Sequence, residues 1–266
     1  MHAQGHHSGA LAPDGAHSGA LAPDGAHRAR RVTSFRSRRA ALTDSQQEVW
    51  GRLWPRLGRQ AVADDPAGPP EPLDTATWFG RVAPGGLLVE IGCGTGTSTL
   101  AMAKAEPDLD VIAVEVYRRG LAQLLNGIDR DAVTNIRLIR GDGVDVLEQL
   151  VSFGSLTGVR VFFPDPWPKS RHHKRRLLQP DMMALIADRL RSGGVLHAAT
   201  DHAGYAEQIA AAGDAEPRLR RATPAELAAP PGHGGLPISI ERPPTKYEMK
   251  ARQAGSAVTE LIWVRI

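Results

Sequence analysis

One cysteine, Cys93, occurs among 266 residues. This excludes an intramolecular disulfide and a four-cysteine zinc site, and it fits a reducing cytosol, so a cytoplasmic location is expected. No stretch approaches ~18 consecutive apolar residues, which excludes a transmembrane helix. The amino-terminal segment has no apolar stretch of the kind a secretory signal needs. Neither sign of charge dominates: 32 Lys and Arg stand against 29 Asp and Glu, a formal net charge of +3. With 42% hydrophobic and 23% charged residues, the composition is that of an ordinary globular protein. Its length suits one large domain, or one domain with appendages.

The positive charge is unevenly placed. Residues 28–39 hold six arginines and no acid, and without them the remainder carries −3. Concentrated positive charge suggests a polyanionic partner. Before this tract, residues 8–17 (SGALAPDGAH) are repeated letter for letter at 18–27, with His7, His17 and His27 marking the period. Such small, Gly- and Pro-rich sequence cannot bury enough surface to offset ordering entropy. Residues 1–40 therefore read as a disordered tail and 41–266 as the folded domain. The spaced histidines lack the fixed geometry of a metal site, and no resident metal is expected.

A helix is expected from Thr43, with Gln46 completing a capping box and Val49, Trp50, Leu53 and Trp54 forming an apolar face, until Pro55 disrupts it. Residues 62–72, rich in Pro, Asp and Gly, read as a loop. From residue 86, short apolar runs alternate with helical patterns. Strands are expected at 87–91, 111–116, 136–139, 159–163 and 195–199. Helices are expected at 98–105, 118–126, 144–151 and 180–190, with Pro180 suited to a first turn. This alternation predicts an α/β fold with a doubly wound, mostly parallel sheet. A helix over 203–212, another near 246–253 and a strand over 258–266 follow. A strand so late in such a chain suits an antiparallel addition to the sheet.

The first strand of this region runs into Glu90-Ile91-Gly92-Cys93-Gly94-Thr95-Gly96. The glycines permit a sharp turn and close approach of a ligand to the backbone. Their spacing is not that of a dinucleotide fingerprint. Glu115 ends the second strand, where a carboxylate can accept both ribose hydroxyls, and Asp142 follows the third. In a doubly wound sheet these strand ends share one crevice. A crevice lined with Glu90, Glu115 and Asp142 repels a pyrophosphate. It suits a ligand with a ribose, an amine and a positive charge, as S-adenosylmethionine has.

The fourth strand leads into Pro164-Asp165-Pro166-Trp167-Pro168-Lys169. Three prolines stiffen the loop and hold Asp165 and Trp167 beside that crevice. Residues 169–176 then bring five Lys and Arg and two His, suited to phosphate contacts with a nucleic acid. Asp201 closes the fifth strand. Thr245 and Glu248 frame a capping box.

These segments together resemble the bacterial tRNA (guanine-N7-)-methyltransferases, over roughly residues 33–266. The resemblance lies in Glu90-x-Gly92-x-Gly94-x-Gly96, Glu115, Phe162-Phe163-Pro164-Asp165-Pro166-Trp167-x-Lys169, His173-Lys174-Arg175-Arg176, Thr200-Asp201 and Thr245-Lys246-Tyr247-Glu248. It implies the Rossmann-like class I methyltransferase fold, with a seven-stranded sheet and an antiparallel carboxyl-terminal strand. The activity implied is methylation of N7 of guanine 46 in the tRNA variable loop. S-adenosylmethionine contacts are implied for Glu90, Gly92, Gly94, Gly96, Glu115, Asp142 and Asp165, with Asp165 also at the catalytic position. Substrate contacts are implied for Lys169, Arg171, His172, His173, Lys174, Arg175, Arg176, Asp201, Thr245, Lys246, Tyr247 and Glu248. The partner implied is tRNA, with no membrane and no obligate protein partner, the chain being a monomer or homodimer. Pro168 and the doubled His172-His173 depart from the family's pattern but leave Asp165 and Lys169 in place. Two rival readings stay open: an NAD-dependent oxidoreductase on the same sheet, and a tRNA-binding module without catalysis.

Overall fold

A computed structural model describes residues 41–61, 71–231, 234–243 and 257–266. The expected tail over 1–40, most of the loop at 62–72, the helix near 246–253 and the segment Thr245–Glu248 lie outside the described residues.

Strands β2 (Gly86–Ile91), β3 (Leu109–Glu115), β4 (Ile136–Arg140), β5 (Leu156–Phe162) and β6 (Leu190–Thr200) are parallel. They read as nearly unbroken apolar runs because helices cover both faces of the sheet. Alternate residues serve opposite layers. Val89, Ile91, Ile112 and Val114 pack with α5 (Gly143–Gln149), α6 (Pro180–Arg189) and α7 (Ala203–Asp214). Leu88, Val111, Ala113 and Leu138 pack with α1 (Asp44–Leu57), α3 (Thr97–Ala105) and α4 (Arg118–Asp131). Leu236 and Ile238 of the strap 234–243 join this second layer. A Cβ on Gly158 would meet the Ile238 side chain at 2.9 Å, so glycine here leaves room for the strap against β5.

The strand order is β1-β4-β3-β2-β5-β6-β8-β7. The last strand, β8 (Thr259–Arg265), is antiparallel to both of its neighbours, as expected for the chain's end. The sheet has eight strands rather than seven. The addition is β1 (Gly58–Gln60), which pairs parallel to the outer edge of β4. At three residues, β1 and β7 (Leu219–Arg221) are too short to display a period and owe their conformation to the edge they join. Two five-residue helices, α2 (Thr75–Phe79) and α8 (Pro224–Ala228), were likewise not anticipated.

The capping box at Thr43 and Gln46 forms as expected. Pro55 does not end α1, which runs on to Leu57. Burial of Leu53 and Leu57 and stacking of Trp50 on Trp54, with ring centroids 4.1 Å apart, carry the last turn past the missing N–H. Among the described residues, no helix is long and apolar enough to cross a membrane.

Candidate functional site

Parallel β4, β3, β2, β5 and β6 end at one edge of the sheet, which puts Asp142, Glu115, Glu90 with its glycine turn, Asp165 and Asp201 along that edge in this order. Gly92, Gly94 and Gly96 have φ of +77°, +57° and +73°, a region that favours glycine. Their roles differ. A Cβ on Gly96 would strike the Leu124 side chain at 2.6 Å, whereas Gly92 and Gly94 face open space. Gly120, in the first turn of α4, has its own reason to be glycine. Its Cβ would sit 2.2 Å from the Gly94 carbonyl oxygen and 3.5 Å from Glu115 Cγ.

Glu115 is held in advance of any ligand. Its Oε2 accepts from the Gly94 N–H at 2.9 Å, and its Oε1 from Val116 and Tyr117 N–H at 2.7 and 3.0 Å. Asp142 caps α5, accepting from the Val144 N–H at 2.9 Å. Glu90 is 3% exposed, and its Oε2 is buried without a hydrogen-bond partner. Burial pushes its carboxyl above the usual range, against the attraction of Arg160, the hydroxyl of Thr99 beside it and the attraction of Arg242. A buried carboxyl oxygen with spare acceptor capacity beside an open glycine turn is the kind of atom that a donor-bearing ligand satisfies.

Beyond β5 the chain turns through residues with strained backbone. Phe163 and Trp167 have φ of +50° and +43°, rare for side chains of this size, and they bracket Pro164, Asp165 and Pro166. Asp165 is exposed. Lys169 and, in the following 3-10 helix (Ser170–Arg175), Arg171, Lys174 and Arg175 face solvent, with His172 and His173 half-buried. Arg175 lies over the Trp167 ring at 5.1 Å, and His172 meets it edge-on at 5.8 Å. Desolvation, then the cations Arg175, Arg171, Lys169 and Lys174, hold the His172 imidazole below its ordinary value.

Arg176 differs from the rest of this run. It is 3% exposed, and its guanidinium donates to the Pro166 carbonyl at 2.7 Å, Gln208 Oε1 at 2.7 Å and the Gly204 carbonyl at 3.3 Å. It also lies over the Tyr205 ring at 4.8 Å. Its place is beneath the loop, tying it to α7, and not among the solvent-facing cations with which the sequence groups it. Asp201 is half-buried, next to His202, whose Nδ1 caps α7.

A family profile described as a putative methyltransferase matches residues 85–261. Three proteins named tRNA (guanine-N(7)-)-methyltransferase are similar to this chain. That of Mycobacterium sp. strain KMS is 69% identical over 239 residues, 90% of this chain and 82% of its own. That of Mycolicibacterium gilvum is 64% identical over 241 residues, covering 89% and 87%. That of Nocardia farcinica is 59% identical over 244 residues, covering 89% and 85%. The chain belongs to the tRNA (guanine-N(7)-)-methyltransferase family. Among solved structures, that of the 16S rRNA methyltransferase KamB aligns with a TM-score of 0.49 at 17% identity, over 74% of this chain and 95% of its own.

Proposed function

We propose that this methyltransferase moves a methyl group from S-adenosylmethionine to N7 of guanine 46 in the tRNA variable loop, forming 7-methylguanosine. The observation that carries this reading is the placement of Asp165. It stands on a strained, proline-locked loop at the end of β5, the neighbour of the glycine turn's strand, just before an exposed run of cations, in a chain of this family.

The residues present fit the donor. Gly92 and Gly94 leave room against the backbone. Glu115, fixed by three N–H groups, retains one lone pair, on Oε2, for a ribose hydroxyl. Glu90 has an oxygen awaiting a donor. Bound there, S-adenosylmethionine supplies an electrophilic methyl on a sulfonium. The same acids disfavour the pyrophosphate of a nicotinamide dinucleotide, which argues against the oxidoreductase alternative.

Guanine N7 carries an in-plane lone pair and no proton, so no side chain need act as a general base. The protein's task is alignment, which is worth up to ~7–11 kcal/mol in favourable cases. Positive charge leaves sulfur and arrives on the purine. Asp165, held where that charge moves, hydrogen-bonds the guanine edge or the donor's amine and favours the transfer. Lys169, Arg171, His172, His173, Lys174 and Arg175 hold the RNA backbone. Asp201 and the segment Thr245–Glu248 contact the substrate.

Transfer of radiolabelled methyl to unmodified tRNA, with mapping of the modified base, tests the proposal. Label at a guanine N7 in the variable loop is expected. Absence of label on tRNA, or label on another atom, refutes it. Asp165→Ala is expected to keep the fold, by circular dichroism, and to lose most turnover; a near wild-type rate removes Asp165 from the catalytic role.

A further inference from the structure

We propose that Arg242, anchored by Glu260, is a positioning residue that sets the backbone at Phe163 and through it the aim of Asp165. The inference rests on the reading of Asp165 given above. The Arg242 side chain is 3% exposed although it comes from the strap, and its guanidinium lies over the rings of Phe162 and Phe163 at 5.3 and 4.9 Å. Arg242 Nη2 donates to Glu260 Oε1 at 2.8 Å. The other oxygen of Glu260 is 2.6 Å from His197 Nε2, and the His197 ring meets the Phe162 ring edge-on at 4.9 Å. Cation, carboxylate and imidazole therefore close around the pair of phenylalanines at which the chain leaves the sheet.

Phe163 needs such a hold. Its N–H is fixed to the Ala199 carbonyl at 2.8 Å, yet its φ is +50°, a conformation that an aromatic residue keeps only when its surroundings impose it. A cation over the ring face fixes the side chain on one side while the β6 hydrogen bond fixes the backbone on the other. Pro164 follows directly, so little freedom separates Phe163 from Asp165. The strap that delivers Arg242 is itself pinned. The Ser239 N–H donates to Glu106 Oε1 at 2.6 Å, and the Ser239 carbonyl accepts from Arg160 at 2.9 Å.

The test compares wild type, Arg242→Ala, Arg242→Lys, Asp165→Ala and the double variant Arg242→Ala with Asp165→Ala. Turnover is measured at saturating donor and tRNA. A misplacement of about 1 Å can cost on the order of 10²-fold. Arg242→Ala is expected to lower kcat by about that factor, with tRNA KM and its salt dependence unchanged. Arg242→Lys is expected to recover part of the loss. The double variant is expected to be no slower than Asp165→Ala, since one residue acts through the other. Wild-type kcat in Arg242→Ala, a loss confined to KM, or losses that multiply in the double variant would each overturn the inference. Crystal structures of wild type and Arg242→Ala supply a second readout independent of tRNA. Relaxation of Phe163 to negative φ supports the inference and an unchanged turn overturns it. A wild-type enzyme inactive on tRNA whose loop nonetheless relaxes in the variant would overturn the proposed function and uphold the contact.

Discussion

Arg160 is 1% exposed, and its Nη2 donates to both oxygens of Glu106 at 2.9 and 2.7 Å. Truncating one partner of such a pair leaves the other charge buried and unanswered, which costs about 3–5 kcal/mol. Glu106→Gln leaves an amide oxygen and the Ser239 carbonyl facing Arg160, so it is expected to lose less than that, read as a lower urea midpoint with an unchanged slope. His197 presents a second residue-scale case. Its ring is fully buried, Nε2 faces Glu260, and Nδ1 has no hydrogen-bond partner. A second proton would have to sit on Nδ1 with nothing to accept it. Burial holds this imidazole below its ordinary value, against the pull of Glu260. The unfolded chain therefore binds that proton more readily than the folded one. The stabilising contribution is complete above about pH 6.5 and is lost as pH falls below it. Thermal midpoints measured between about pH 7 and pH 5 should fall less steeply in His197→Gln than in wild type; equal slopes would show that His197 is not the group responsible.

Packing of one element against another decides two further outcomes. α4 meets the glycine turn through Gly120, and the atom opposing any Cβ there is a backbone oxygen that cannot rotate away. Gly120→Ala must displace the turn or the helix. Overpacking of this kind costs typically ~1–3 kcal/mol, so donor affinity by calorimetry should weaken by about tenfold or more. An unchanged affinity would mean that the turn is compliant. The parallel strands and their helices are legible in the sequence because burial on both faces and helical periods write long, regular patterns. The acids at the strand ends and the proline-locked Asp165 are legible because they sit beside glycines and prolines that serve turns. Gly120 and Arg242 are not legible. Their roles depend on a carbonyl 26 residues earlier and on rings about 80 residues earlier, separations that no local pattern encodes. Arg176 misleads for the same reason: as a letter it continues a basic run, while in space it lies under the loop.

Across the whole molecule, cations cluster while the bulk of the chain carries a slight negative charge. Exposed Lys174 and Arg175 flank the edge of the sheet that holds the acids, and buried Arg176 does not share their exposure. Replacing Lys174 and Arg175 together by alanine should weaken tRNA binding and reduce the slope of log affinity against log salt by about 2, one per lost phosphate contact. Arg176→Ala should instead lower turnover and thermal stability with the slope unchanged. A flattened slope in Arg176→Ala, or none in the double replacement, would reverse these assignments.

The order of the strands also bears on how the chain is made. β7 precedes β8 along the chain, yet among the described residues its only neighbour in the sheet is β8, which inserts between it and β6. During vectorial synthesis β7 therefore leaves the ribosome with nothing to pair with, and the flank of β6 stays uncovered until residues 259–265 arrive. An exposed strand flank is a template for pairing with other chains. Nascent chains stalled before residue 259 should therefore be the species most prone to self-association and most dependent on a chaperone.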